Sequence, residues 1–254
     1  MGSENLRHTH RIFVPNPLAQ GETLSANPDQ THHLLHVLRL KQGDVLRLFN
    51  GRDGEYRGGV AGADKKSVEI TLHEQIRPQL AEPDLWLCCA PIKKAHFDTM
   101  LEKATELGVS EIQPILTHRT QIREINADRV YSLCREASEQ SERLSVPAVG
   151  NPVSLQDMID VFPKDRALIV CAEWGEADPV HKVLLSPALQ NFPKAAILTG
   201  PEGGLAAEEL GLLRNTPNAF FIRLGPRILR ADTAAIAALA CWQAVAGDWK
   251  SVPR

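Results

Sequence analysis

The chain has no apolar run near the ~20 residues that a membrane-spanning helix needs, and its first residues carry no apolar core of a secretory leader. It is therefore expected to be cytoplasmic and free of membrane. Only five of its 254 residues are cysteine, an odd number with no Cys-x-x-Cys pair. A disulfide framework and a zinc knuckle are excluded on that count. Cys88 and Cys89 sit side by side in an apolar run and read as buried thiols of a reducing compartment. No cluster of Cys and His suggests a metal, so none is expected. Charge of one sign is also lacking, with 28 Lys and Arg against 31 Asp and Glu, a net charge of −3. A general basic field for nucleic acid is absent, and any such contact must come from local clusters. Two phosphate-binding signatures are missing as well: there is no Gly-Lys-Ser/Thr of a P-loop and no Gly-x-Gly-x-x-Gly of a dinucleotide fold. Repeats and low-complexity tracts are absent.

What is present falls into two halves of different rhythm. Residues 1–76 read as short strands, Arg11–Val14, Val45–Phe49, Tyr56–Val60 and Val68–Leu72, the last with clear apolar alternation. One helix opening at Pro28-Asp29 interrupts them, with Leu34, Leu35, Leu38 and Val37 as its apolar face. Short strands around one helix predict a small barrel. Residues 77–83, with two prolines, read as a linker. Residues 84–254 alternate strand and helix, which predicts a largely parallel α/β sheet. Its strands are expected at Leu85–Ile92, Ile112–Leu116, Ala167–Ala172, Ala195–Leu198 and Phe220–Leu224. Helices are expected at Ala95–Leu107, closed by Gly108, at Ala127–Leu144, and from Thr233 to Val245. The inner face of the second comprises Val130, Leu133, Cys134, Ala137, Ser141 and Leu144.

Two glycine turns carry most of the functional signal. An apolar strand ends in Thr199-Gly200-Pro201-Glu202-Gly203-Gly204 before a helix with an acidic first turn. Glycines there let a ligand approach the backbone closely, and free amides can hold its polar atoms. Glu202, Glu208 and Glu209 would repel a polyphosphate, whereas a ligand with hydroxyls and a sulfonium suits them. Some twenty residues on, Phe220–Leu224 runs into Gly225-Pro226-Arg227-Ile228-Leu229-Arg230. In a parallel sheet, successive strand ends of this kind share the edge where ligands bind. Arg223, Arg227 and Arg230 add a basic cluster suited to phosphate or a developing oxyanion, and Ile228 and Leu229 would wall an adenine.

The sequence resembles the ribosomal RNA small subunit methyltransferase E family of the SPOUT class. The resemblance rests on HRIFVP at 10–15, HVLRLKQGD at 36–44, FNGRDGEY at 49–56, EKATELGVSEIQPILTHRT at 102–120, REASEQSERLSVP at 135–147, and the turns TGPEGG and LGPRILRADTA. It implies a PUA-like RNA-binding barrel, a C-terminal domain with a trefoil knot, a homodimer, and N3-methylation of a uridine in 16S ribosomal RNA. It further implies S-adenosylmethionine held by Ala172, Thr199, Gly200, Glu202, Gly203, Gly204, Leu224, Gly225, Ile228, Leu229 and Thr233. Two departures stand out: Ala231-Asp232 replaces the family's usual Thr-Glu, and Leu205 a phenylalanine.

N3 of uridine holds a proton at neutral pH, so its methylation needs a base or a preorganised cation. Arg230 and Arg119 are the candidate cations and Glu202 the candidate base. Glu136, Gln140 and Arg143 share one helix face, as a solvated surface, an ion network or part of the site. RNA contacts are expected at Arg11, Arg39, Lys41, Arg52 and Arg57, and at Lys93, Lys94 and Arg123. Such contacts position RNA without reading its sequence. The rival readings are another SPOUT enzyme, acting on transfer RNA or on ribose, and a non-catalytic ribosomal RNA-binding protein. A nicotinamide enzyme is disfavoured by the missing fingerprint.

Overall fold

The structure, a computed structural model, describes residues 9–64, 67–172 and 177–250. The leader reading rests on the first residues and lies outside them. Chain contacts divide the molecule into two units, residues 1–81 with 138–146, and residues 82–137 with 147–254.

In the first unit, β1 (His10–Phe13), β2 (Thr23–Ser25), α1 (Pro28–His32), β3 (Val45–Phe49), β4 (Glu55–Ala63) and β5 (Val68–Arg77) follow in order, with one π turn at His33–Val37 after α1. The strands form a five-stranded sheet in the order β1-β3-β4-β5-β2. Among the described residues, only the β1–β3 pairing of this sheet is parallel. Alternation places Leu46, Leu48, Val60, Val68, Ile70 and Leu72 in one core with Ile12, Leu34 and Leu40, each such side chain contributing roughly 1.5–3 kcal/mol of burial. Leu35 and Leu38 pack against that core. Val37, expected with them, is 59% exposed, because the π turn offsets it from the 3.6-residue spacing. The last strand runs on to Arg77, five residues beyond the alternation that marks it in the sequence.

The unit's charged interior was not foreseen. Glu55 is fully buried and meets Arg11 Nε at 2.6 Å, Arg77 Nη1 at 3.1 Å and Arg47 Nη1 at 3.8 Å. Arg11 also donates to the carbonyls of Ser138 and Arg143 and stacks over Phe49. Burial outweighs the pull of Glu55 and lowers this guanidinium to about 10, still a cation at neutral pH. The expectation of Arg11 as an RNA contact is thereby corrected: its donors are spent inside the unit, and it is 7% exposed.

The second unit contains β6 (Leu85–Cys89), α2 (Lys94–Glu106), β7 (Glu111–Leu116), α3 (Ala127–Gln140, whose last residues group with the first unit), β8 (Ala148–Val149), β9 (Val153–Ser154), α4 (Leu155–Asp160), β10 (Arg166–Cys171), β11 (Asp178–Pro179), α5 (Val180–Leu184), α6 (Pro187–Gln190), β12 (Lys194–Thr199), α7 (Ala207–Arg214), β13 (Ala219–Arg223) and α8 (Ala231–Val245). The strand order is β11-β13-β10-β12-β6-β7-β8, with β9 on β7. Every pairing among the described residues is parallel. Such a sheet must be covered on both faces. One is filled by Leu155 and Met158 of α4 and Leu213 of α7 against Leu168, Val170, Ala196 and Leu198, while α8 packs on β12 and β10 and against α2. Cys88 and Cys89 are buried free thiols, and desolvation pushes Cys88 up to about 12.

α3 stops at Gln140, short of the expected Leu144. Glu142 takes a left-handed φ of 62°, a helix-ending conformation. Ser141 and Leu144 are therefore not part of a helix face. Instead the Glu142 carboxylate pairs with Arg47 at 2.9 Å and its carbonyl accepts from Arg77 at 3.1 Å. Among the described residues, no helix is long and apolar enough to cross a membrane, and no three His, Cys, Asp or Glu side chains are grouped to hold a metal.

Candidate functional site

Parallel strands place all their C-terminal ends at one edge, and the ends of β10, β12 and β13 open there into a cavity of about 590 Å³, within the ~300–1,000 Å³ typical of small-ligand pockets. Cys171 and Ala172 follow β10, Thr199 to Leu205 follow β12, and Leu224 to Arg230 follow β13. Of the expected cofactor residues, the cavity brings together Ala172, Thr199, Gly200, Glu202, Gly203, Gly204, Leu224, Gly225, Ile228 and Leu229. Thr233 is not in the lining. The α8 residues on the cavity are Ala231 and Ala234, one turn apart, so Thr233 points elsewhere on the 3.6-residue spiral. That spacing was a readable signal in the sequence.

The turns explain why these residues are used. Gly204 and Gly225 have φ of 69° and 114° with open space where a Cβ would stand, conformations that L side chains rarely adopt. At Gly200 a Cβ would press on Leu205 at 3.1 Å. The Thr199 hydroxyl is buried with no hydrogen-bond partner. A hydroxyl left so is costly unless a ligand completes it.

A second cavity, about 540 Å³, shares Arg119, Glu202 and Gly203 with the first and is further lined by Lys93, His118, Thr120 and Gln121. Its wall comes from the loop after β7. Arg119 donates from Nη1 to the Gly203 carbonyl at 2.7 Å, and its side chain covers the space where a Gly203 Cβ would stand. The backbone N–H of His118 donates to Glu209 at 2.8 Å, and the same carboxylate accepts the Ala206 N–H at 2.8 Å. Glu202 accepts the Lys93 backbone N–H at 3.2 Å. Sequence reasoning missed Glu209 as the tie between these loops, since its partner at His118 is remote in the chain.

Arg230 caps α8 and lies 3.2 Å from His96. Glu136 and Gln140 are exposed, whereas Arg143, meant to share their face, lies buried past the end of α3. Of the expected RNA contacts, Arg39, Lys41, Arg52, Lys93, Lys94 and Arg123 are exposed. Arg52 also donates to the Pro15 carbonyl, Arg57 pairs with Glu74 at 3.0 Å, and Lys94 pairs with Asp98 at 3.1 Å.

A parallel sheet whose strand ends carry two glycine turns around one cavity is the arrangement of an RNA methyltransferase domain, and the model of that family matches residues 80–243. The model of the RNA methyltransferase PUA domain matches residues 26–72. The ribosomal RNA small subunit methyltransferase E of Rickettsia conorii is 36% identical over 232 residues, 91% of this chain and 93% of its own length. The protein of that name from Neisseria gonorrhoeae, solved bound to S-adenosyl methionine, superposes with a TM-score of 0.83 at 25% identity, covering 96% of this chain and 100% of that one. A putative methyltransferase of Legionella pneumophila, solved with the same cofactor, gives 0.82 at 30% identity over 95% and 99%. The chain belongs to the ribosomal RNA small subunit methyltransferase E family.

Proposed function

We propose that this chain transfers a methyl group from S-adenosylmethionine to N3 of a uridine in 16S ribosomal RNA. The observation that carries the reading is the pair of adjoining cavities with a common wall of Arg119, Glu202 and Gly203. Methyl transfer needs donor and acceptor in contact distance and aligned, so their two pockets must share a boundary. The cofactor fits the larger one. Thr199 offers a buried, unpartnered hydroxyl, the glycine turns leave the backbone open, and Ile228 and Leu229 supply apolar wall. Bound there, it supplies an activated methyl on a sulfonium.

The chain's own groups then act on the base in the smaller cavity. From the shared wall, Glu202 takes the N3 proton and Arg119 stabilises the charge that spreads onto the ring carbonyl oxygens; Arg230, on the lining of the larger cavity, adds its charge from the cofactor side. N3, once Glu202 has taken its proton, would keep the electron pair of the N3–H bond and with it accept the methyl group that the bound cofactor would supply, the methyl–sulfur pair staying on the cofactor's sulfur. No step calls for a metal. Arg39, Lys41 and Arg52 in the first unit and Lys93, Lys94 and Arg123 in the second serve as phosphate contacts.

The finer architecture belongs to the same reading. Residues 1–76 form the RNA-binding barrel, which is supported by Ile12 and Leu24, from the two end strands, packing on one core. The catalytic domain is knotted, which is supported by β12 inserting between β6 and β10, both earlier in the chain. The working form is a cytoplasmic homodimer that acts on the small ribosomal subunit, as the family likeness implies.

Mass spectrometry of 16S ribosomal nucleosides from cells with and without the gene tests the reaction; N3-methyluridine that persists in the deletion strain refutes it. Thr199→Val tests the cofactor's seat. It removes an unsatisfied hydroxyl, so the free protein is expected to keep its thermal midpoint or gain slightly. Calorimetry should show S-adenosylmethionine binding weakened by roughly tenfold, the worth of one well-made hydrogen bond (~0.5–1.5 kcal/mol). Unchanged affinity would place the ligand away from Thr199.

A further inference from the structure

His96 of α2 joins two side chains at the start of α8 in a hydrogen-bonded line that ends at Arg230, which lines the larger cavity. Asp232 Oδ2 lies 2.9 Å from Nδ1 of His96, and Nε2 of the same ring lies 3.2 Å from Nη1 of Arg230. A guanidinium has donors and no acceptor, so Nε2 must accept. The ring proton then sits on Nδ1 and is donated to Asp232, and the two partners together fix a single tautomer. Asp232 is itself held. It is buried, and its other oxygen accepts the Thr233 N–H at 2.9 Å in the first turn of α8. By contrast, the Arg230 side chain is exposed, and a free arginine there would spread over many rotamers at a cost of up to ~2 kcal/mol to hold in one.

We propose that His96, oriented by Asp232, is a positioning residue that fixes the Arg230 guanidinium for the methyl-transfer step. The inference rests on the reading of Arg230 as the cation at the reacting base. It also gives a use to the departure at Ala231-Asp232. An aspartate on the second residue of α8 has the reach to meet Nδ1 of a ring on α2, and a glutamate, one methylene longer, would push that ring out of line with Arg230. A plain tie between α2 and α8 would need the same Asp232–His96 bond, but the cost of losing His96 would then be the same with or without Arg230. The two roles therefore part in a double-mutant cycle read in kcat.

The full-length protein is assayed with labelled S-adenosylmethionine on small ribosomal subunits from the deletion strain, with cofactor affinity and thermal midpoint measured alongside. Arg230→Ala is expected to lower kcat about a hundredfold and His96→Phe roughly tenfold, both with cofactor Kd within about twofold. The double variant should be no slower than Arg230→Ala alone. His96→Gln, whose amide can still accept from Arg230, should recover part of the loss, and it keeps the test decisive if His96→Phe folds poorly. A further roughly tenfold loss from His96→Phe in the Arg230→Ala background would overturn the inference, as would full turnover in both His96 variants, and either would leave the role of Arg230 standing. Full turnover in Arg230→Ala would instead remove the parent reading and this inference with it.

Discussion

Glu55→Ala is expected to destabilise the first unit by about 3–5 kcal/mol, the cost of stranding buried charge when one partner of an ion network is removed. Arg11, Arg47 and Arg77 all approach the Glu55 carboxylate, and its side chain has no exposure. Without it, Arg11 loses the carboxylate that offsets its burial and is left beside the like charges of Arg47 and Arg77. A loss of that size is comparable with much of a domain's net stability (~5–15 kcal/mol). Hydrogen exchange locates the effect, because peptides from 10–77 and 138–146 should lose protection while those from 166–223 keep theirs. All four tryptophans lie beyond residue 85, so far-ultraviolet circular dichroism in urea, not fluorescence, should follow the transition. Replacing Glu55 and Arg11 together by apolar residues of similar volume should cost less than Glu55→Ala alone. A single-variant loss below about 1 kcal/mol would mean the network is solvated in solution and the charges are not interdependent.

That network also marks the limit of what the sequence discloses. The strands of both units and the two glycine turns were legible, because alternation, apolar runs and strand–Gly–helix punctuation are local signals. Pairing across long separations is not local. Arg11 reads as a surface cation in a short strand, and nothing near it announces Glu55 or the carbonyls beyond residue 137. Helical spacing carries on past Gln140, yet tertiary contacts of Glu142 with Arg47 and Arg77 end α3 there. Both glycine turns line one cavity, which the sequence makes legible because strand order does not matter once every strand end shares one edge. Thr233 is not in that lining, because a linear motif does not say which way a helix turns. His96 was passed over because its partners are on another helix, although the resemblance did flag Asp232 as unusual.

Glu209→Ala should disable the enzyme without touching either cavity. Glu209 is 6% exposed, and its carboxylate accepts two backbone N–H groups, from His118 and Ala206. Ala206 caps α7 and has no side-chain oxygen to offer, so Glu209 is the residue that satisfies its amide in the first turn. The same carboxylate thereby joins the turn after β12 to the loop after β7, and Arg119 closes the circuit through the Gly203 carbonyl. Hydrogen bonds to a charged group contribute roughly 1.5–3 kcal/mol each, so losing both should cost about 3–6 kcal/mol locally. With the loop released, Arg119 must be ordered anew in each turnover, and kcat is expected to fall at least roughly tenfold. Hydrogen exchange should rise at residues 117–121 and 203–207 together, because one group ties both. Glu209→Gln, with one acceptor left, should fall between, and Glu208→Ala on the exposed face of the same turn should stay within about 0.5 kcal/mol of the parent. If Glu209→Ala loosens both loops and turnover holds, a preset Arg119 is not what the reaction uses, and the catalytic cation must be sought at Arg230.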